Sequence, residues 1–91
     1  MTIGKDDHVK VAADVHVREF DGELVILDLA KGDYFGVNEI GARLWQGLAS
    51  GKSPSEVATA IAPEYEVEPD VLVADLVALA NDFAARGLVT P

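Results

Sequence analysis

The chain contains no cysteine, which excludes disulfide staples, thiolate metal sites and thiol nucleophiles. Cysteine-free composition also accords with a reducing compartment, and a cytoplasmic location is the expectation. Basic residues are scarce: 7 Lys and Arg stand against 16 Asp and Glu, a net charge of −9. Nucleic acids and anionic membranes both attract basic surfaces, so neither is expected as a partner. No apolar run approaches the roughly 20 residues of a membrane span, and the N-terminus is too polar for a signal peptide. What is present is a globular balance, 49% apolar and 25% charged over 91 residues. That length suits one domain with a modest core and little interior for a deep enzyme pocket.

A strand-rich third precedes a helix-rich remainder. Residues 1–12 mix charge with isolated valines and read as a loose arm or as a lead-in to the first strand. Val15, Val17 and Phe20 then follow the near-alternation of a half-buried strand. Asp21-Gly22 is a strong hairpin signal, because the turn needs positive φ that Gly adopts freely and Asp tolerates. The almost continuous apolar run Glu23–Leu27 is expected to be a central strand covered on both faces. A second turn at Ala30–Asp33 leads to a short third strand, Tyr34–Val37, at the edge of a three-stranded antiparallel meander.

Asn38 is placed to cap a first helix carrying Ile40, Leu44, Trp45 and Leu48, with Gly51 at its C-terminal turn. Gly41 within that helix costs about 1 kcal/mol relative to Ala, which marks a close approach to the sheet. Ser53-Pro54-Ser55-Glu56 is a capping box with proline at the first helical position, and the second helix is expected to stop before Pro63. The third and longest helix opens at Pro69-Asp70 and closes at Gly87. Leu72, Leu76, Leu79 and Phe83, widened by Val73, Val77 and Ala80, give it more apolar surface than two short helices and a small sheet should cover. Three strands followed by three helices make an α+β fold of winged helix-turn-helix type.

Catalytic chemistry finds little support. His8 and His16 lack partners at ligand spacing, and Ser50, Ser53 and Ser55 lie where caps are wanted. Gly32 and Gly36 are not followed by the Lys-Ser or Lys-Thr of a phosphate cradle. An enzyme is therefore not expected, and neither a metal nor a cofactor is called for. DNA binding fails on charge, since residues 38–91 carry three basic residues against eight acids, a net of −5. Two features remain: the edge strand Tyr34–Val37 and the wide apolar face of the third helix. Together they suit addition of an extended peptide as a further strand, or burial in a homodimer.

The run Leu27-Asp28 through Gly32-Asp33-Tyr34-Phe35-Gly36-Val37-Asn38, then Gly41-Ala42 and Leu44-Trp45, resembles the PqqD family. Gly51, the Ser53–Glu56 helix start, Tyr65-Glu66-Val67, Asp75-Leu76 and Arg86-Gly87-Leu88-Val89 extend the likeness over residues 15–90. The resemblance implies a recognition element for the leader region of ribosomally made, post-translationally modified precursor peptides. Its Tyr-Phe-Gly-x-Asn version is most similar to the stand-alone proteins of lasso-peptide pathways. Those present the leader to a cysteine-type leader peptidase, after which an ATP-dependent cyclase closes the ring. A chaperone of pyrroloquinoline quinone synthesis and a structural interaction subunit, homodimeric or docked on a partner, are the alternatives.

By the same resemblance the leader lies as an antiparallel strand on the third strand, against the third helix. Matched residue by residue, the contact falls on Asp33, Tyr34, Phe35, Gly36 and Val37, facing Leu72, Asp75, Leu76 and Leu79. Lasso leaders of this kind carry a Tyr-x-x-Pro stretch with a later leucine. A one-residue register change would swap the faces of the third strand, so sequence alone leaves its outward face open. If the Val37 amide points to the open edge, Val37→Pro is expected to damage binding.

Overall fold

A computed structural model describes residues 2–21 and 23–90. The strands are β1 (Lys10–Val11), β2 (Val15–Phe20), β3 (Glu23–Asp28), β4 (Asp33–Val37) and β5 (Val89–Thr90). The helices α1 (Glu39–Ala49), α2 (Pro54–Tyr65) and α3 (Pro69–Ala85) run between β4 and β5. Strands β2, β3 and β4 form the antiparallel meander in that order, so β4 is an edge. This is the α+β arrangement of a three-stranded sheet followed by three helices.

Side-chain alternation in β3 decides which face of the sheet meets the helices. Leu24, Ile26 and Asp28 are buried, whereas Val25 and Leu27 are only half-buried. The apolar run is therefore covered fully on one face alone, unlike the two-sided burial expected of it. The helices are too few to form a second layer, and β2 is correspondingly exposed, with Phe20 60% accessible. At the first turn Asp21 takes φ 48°; Gly22, the other half of that turn, lies outside the described residues. At the second, the buried Asp28 carboxylate accepts from the amides of Ala30 and Lys31 at 3.2 and 3.3 Å, which fixes the loop.

Helix termini follow local chemistry closely. The Asn38 side chain accepts from the Gly41 amide at 2.9 Å, and Gly51 has φ 93° just beyond α1. Ser53 and Glu56 form both halves of the capping box. Beyond α3, Gly87 at φ 75° donates to Ala84 O and Leu88 to Phe83 O, the paired bonds of a Schellman closure. The expected stop before Pro63 does not occur, because α2 continues to Tyr65 with Pro63 inside its last turn. Ala62 and Ile61 are buried there, and Ala62 O still accepts from the Glu66 amide, so packing outweighs the one bond that proline removes.

The N-terminal segment also departs from expectation. It is not a loose arm: β1 pairs with β5, and Ile3 and Val9 enter the core. Ile3 exchanges two hydrogen bonds with Asn81, its amide donating to Oδ1 at 2.7 Å and Nδ2 donating to Ile3 O at 2.9 Å. The Ser55 amide donates to Lys5 O, and a His8 ring nitrogen lies 2.7 Å from Gly51 O. Ile3 and Val9 are too far apart to show a period, which is why the segment reads as irregular. Inside the core, Trp45 and Phe83 meet edge to face at 5.4 Å between ring centroids.

Candidate functional site

The free edge of β4 faces a cavity of about 500 Å³ that separates it from the C-terminal half of α3. Tyr34, Phe35, Gly36 and Val37 supply one wall, Leu79, Asp82, Phe83 and Arg86 the other, with Asn38, Gly41 and Leu88 between them. At Gly41 the first turn of α1 approaches both β4 and α3. A Cβ on it would sit 3.0 Å from Val37 Cβ and 3.5 Å from Leu79 Cδ2. The glycine thus lets three elements converge at one end of the groove.

Hydrogen-bond parity tells which backbone groups of β4 are unpaired. The Leu29 amide donates to Asp14 O at 2.9 Å, toward β2. Amide direction alternates along a strand, so the amides of Leu24, Ile26 and Asp28 point the other way, toward β4. These residues stand opposite Val37, Phe35 and Asp33. Asp33, Phe35 and Val37 accordingly spend their amides and carbonyls on β3, while Tyr34 and Gly36 present theirs to the open edge. Val37→Pro would therefore break the existing ladder and remove no donor from the edge. The same alternation assigns the side chains: Phe35 and Val37 lie on the helix-facing side with Leu24 and Ile26, and Tyr34, 75% exposed, lies on the outer side.

The α3 wall is a helical row. Leu79, Asp82 and Arg86 recur at three- and four-residue spacing, and Phe83 flanks them. The Arg86 guanidinium lies over the Phe35 ring, 4.5 Å from its centroid. Its Nε donates to Asp82 Oδ2 at 3.4 Å, and Lys31 Nζ donates to Arg86 O at 3.2 Å. Ring, carboxylate and helix end together hold the arginine at the groove's rim.

Of the residues expected at the contact, Tyr34, Phe35, Gly36, Val37 and Leu79 line this groove. Asp33 begins β4 outside the lining. Leu72 and Leu76 are buried, at 6% and 0% exposure, and point into the core. Asp75 is exposed and continues the Leu79–Asp82–Arg86 row one turn beyond the groove. Asn38, Gly41, Asp82, Phe83, Arg86 and Leu88 are lining residues that sequence reasoning missed. Extending the helical row C-terminally from Leu79 would have found Asp82 and Arg86. Among the described residues, no three His, Cys, Asp or Glu side chains gather to hold a metal ion, and no helix is long and apolar enough to cross a membrane.

This geometry has close counterparts. The chain is similar to a solved structure described as TbiB1 in complex with the TbiA(beta) leader peptide, at 35% identity and TM-score 0.81, covering 88% of this chain and 93% of that one. It is also similar to a lasso peptide synthetase B1 complexed with the leader peptide, at 30% identity and TM-score 0.84, over 93% of this chain and 100% of that one. The PqqD truncation of Methylobacterium extorquens PqqCD, described as a stand-alone recognition element for ribosomally synthesized and post-translationally modified peptides, shares the fold at 16% identity and TM-score 0.82, over 98% and 95% of the two chains. No curated protein matches the chain significantly. The family profile described as coenzyme PQQ synthesis protein D matches residues 23–89, which span the β4 edge, the groove and α3 described above, and the chain belongs to the PqqD family.

Proposed function

We propose that this chain recognises the leader region of a ribosomally made precursor peptide in lasso-peptide biosynthesis, without catalysing a reaction itself. The leader adds as a fourth antiparallel strand to β4, pairing with the outward amides and carbonyls of Tyr34 and Gly36. Its alternate side chains enter the groove against Leu79 and Phe83, while the intervening ones lie over the outer sheet face. The observation that carries this reading is the unpaired β4 edge opening onto a groove walled by Leu79, Phe83 and Arg86, in a chain 30–35% identical to two proteins solved with leader peptides.

Such capture raises the effective concentration of the precursor beside the enzymes that process it, because the second encounter becomes intramolecular. A cysteine-type leader peptidase is the first of these partners and an ATP-dependent cyclase the second, as the family resemblance implies. Fluorescence polarisation of a labelled lasso-type leader carrying Tyr-x-x-Pro, beside a scrambled control, tests the recognition step. Saturable micromolar or tighter binding of the leader alone is expected; equal binding of the scrambled peptide, or none of either, would overturn the reading.

A further inference from the structure

The groove differs in chemistry from end to end. Beside Val37 it is closed by the apolar side chain of Leu79 and the bare Cα of Gly41, with the Asn38 side-chain oxygen occupied by the Gly41 amide. Beside Phe35 it is charged, because Arg86 lies on that ring. Of the five N–H donors on Arg86, one is taken by Asp82. The four on its two terminal nitrogens have no hydrogen-bond partner among the described residues, and water must serve them while the groove is open. A strand laid on β4 displaces part of that water. Donors of a planar fork are best matched by a carboxylate, which accepts two of them at once.

Strand geometry converts this polarity into a sequence pattern. In an antiparallel addition, residues opposite Tyr34 and Gly36 pair with the edge and turn their side chains outward. Residues opposite Val37 and Phe35 turn inward, and the one facing Val37 comes first along the incoming chain. We propose that Arg86 is a specificity-determining residue, selecting an acidic side chain placed two residues C-terminal to an aliphatic one in the bound strand. The inference rests on the leader-binding reading above and adds to it the chemistry that the groove reads. Asp82 offsets part of the arginine's charge, but it engages Arg86 through Nε alone and leaves the terminal fork free for an incoming carboxylate.

The test is a positional scan on the labelled Tyr-x-x-Pro leader, each residue replaced in turn by Glu, Gln and Lys, against the wild-type chain and Arg86→Met. Methionine keeps an apolar stem over Phe35 and removes every donor. At one position Glu is expected to bind about fivefold tighter than Lys, the upper range for a partly exposed ion pair. At the residue two places earlier all three polar replacements are expected to weaken binding, and the Glu preference vanishes in Arg86→Met. A flat scan, a preference for Lys, or a Glu preference that survives in Arg86→Met overturns the inference while leaving leader recognition standing. Failure of every peptide in the set to bind wild type overturns both.

Discussion

Gly36 is the position at which the edge can be broken with least harm to the fold. Its amide faces outward, so Gly36→Pro removes no bond from the β3–β4 ladder. Phe35, the preceding residue, is already in a strand, which is the conformation proline demands of its neighbour. A Cβ added there meets nothing within 4 Å. The cost to the free protein is then mainly backbone strain, about 1 kcal/mol. For an incoming strand the loss is larger: one intermolecular bond disappears and the partner carbonyl is left facing a ring. A lost bond and an unpaired acceptor come to about 2 kcal/mol, or roughly a 30-fold weaker Kd. Polarisation titrations, with thermal unfolding alongside, read both quantities. Gly36→Ala, which keeps the amide, is expected to bind within about twofold of wild type, since its methyl occupies open space. Val37→Pro should do the reverse of Gly36→Pro and lose stability by about 3 kcal/mol, because its amide belongs to the ladder. Wild-type affinity in Gly36→Pro, or a stable Val37→Pro with selectively weakened binding, would refute the parity derived from the Leu29–Asp14 bond.

Three other perturbations probe the frame around the site. Gly47→Ala should destabilise by about 1–3 kcal/mol despite alanine's better helix propensity, because the new methyl collides with Cγ2 of the buried, β-branched Val57; thermal or urea unfolding measures this. Asn81→Ala removes both bonds to Ile3 and should lower stability by about 1–3 kcal/mol, with amide exchange rising first at residues 3–11. Glu56 is held below its ordinary carboxyl value of 4.5 chiefly by the Ser53 amide, and Glu64 below the same value chiefly by Arg43. Their folded values being depressed, the stability they lend is full above pH 4.5 and is lost as pH falls through those lowered values. Denaturation followed between pH 6 and 3 should show a shallower decline in Glu56→Gln and Glu64→Gln than in wild type.

Local chemistry was readable wherever it is self-contained. Asn38, the Ser53–Glu56 box, Gly51 and Gly87 each satisfy their own helix end through bonds within a few residues, so their types declare the structure. The edge position of β4 followed from turn spacing in the same way. Pro63 misled because its cost is local, while its compensation lies in the burial of Ile61 and Ala62 against other elements. The burial of Leu72 and Leu76 was not legible for a related reason: apolar residues on one helix do not disclose which of two neighbouring rows faces the core and which the groove. Only the packing of α3 against α1 and α2 separates them and leaves Leu79, Asp82 and Arg86 facing β4 across the groove. The parity of β4 depends on a bond between Leu29 and Asp14, residues that carry no signal of their own.

The small β1–β5 ribbon bears on the order in which the molecule assembles. Its strands join Lys10 to Thr90 and Val11 to Val89, so its formation closes almost the whole chain into a loop. The length-dependent entropy of closing about 80 residues is roughly 4 kcal/mol, against about 1 kcal/mol for a four-residue turn such as that between β3 and β4. Such a closure is repaid only after the helices have brought the Leu88 end beside α1 and α3. The meander and its open edge can therefore mature early from short-range contacts, and the ribbon zips last. In unfolding the sequence reverses, with the ribbon parting while the edge strand is still paired to its neighbour.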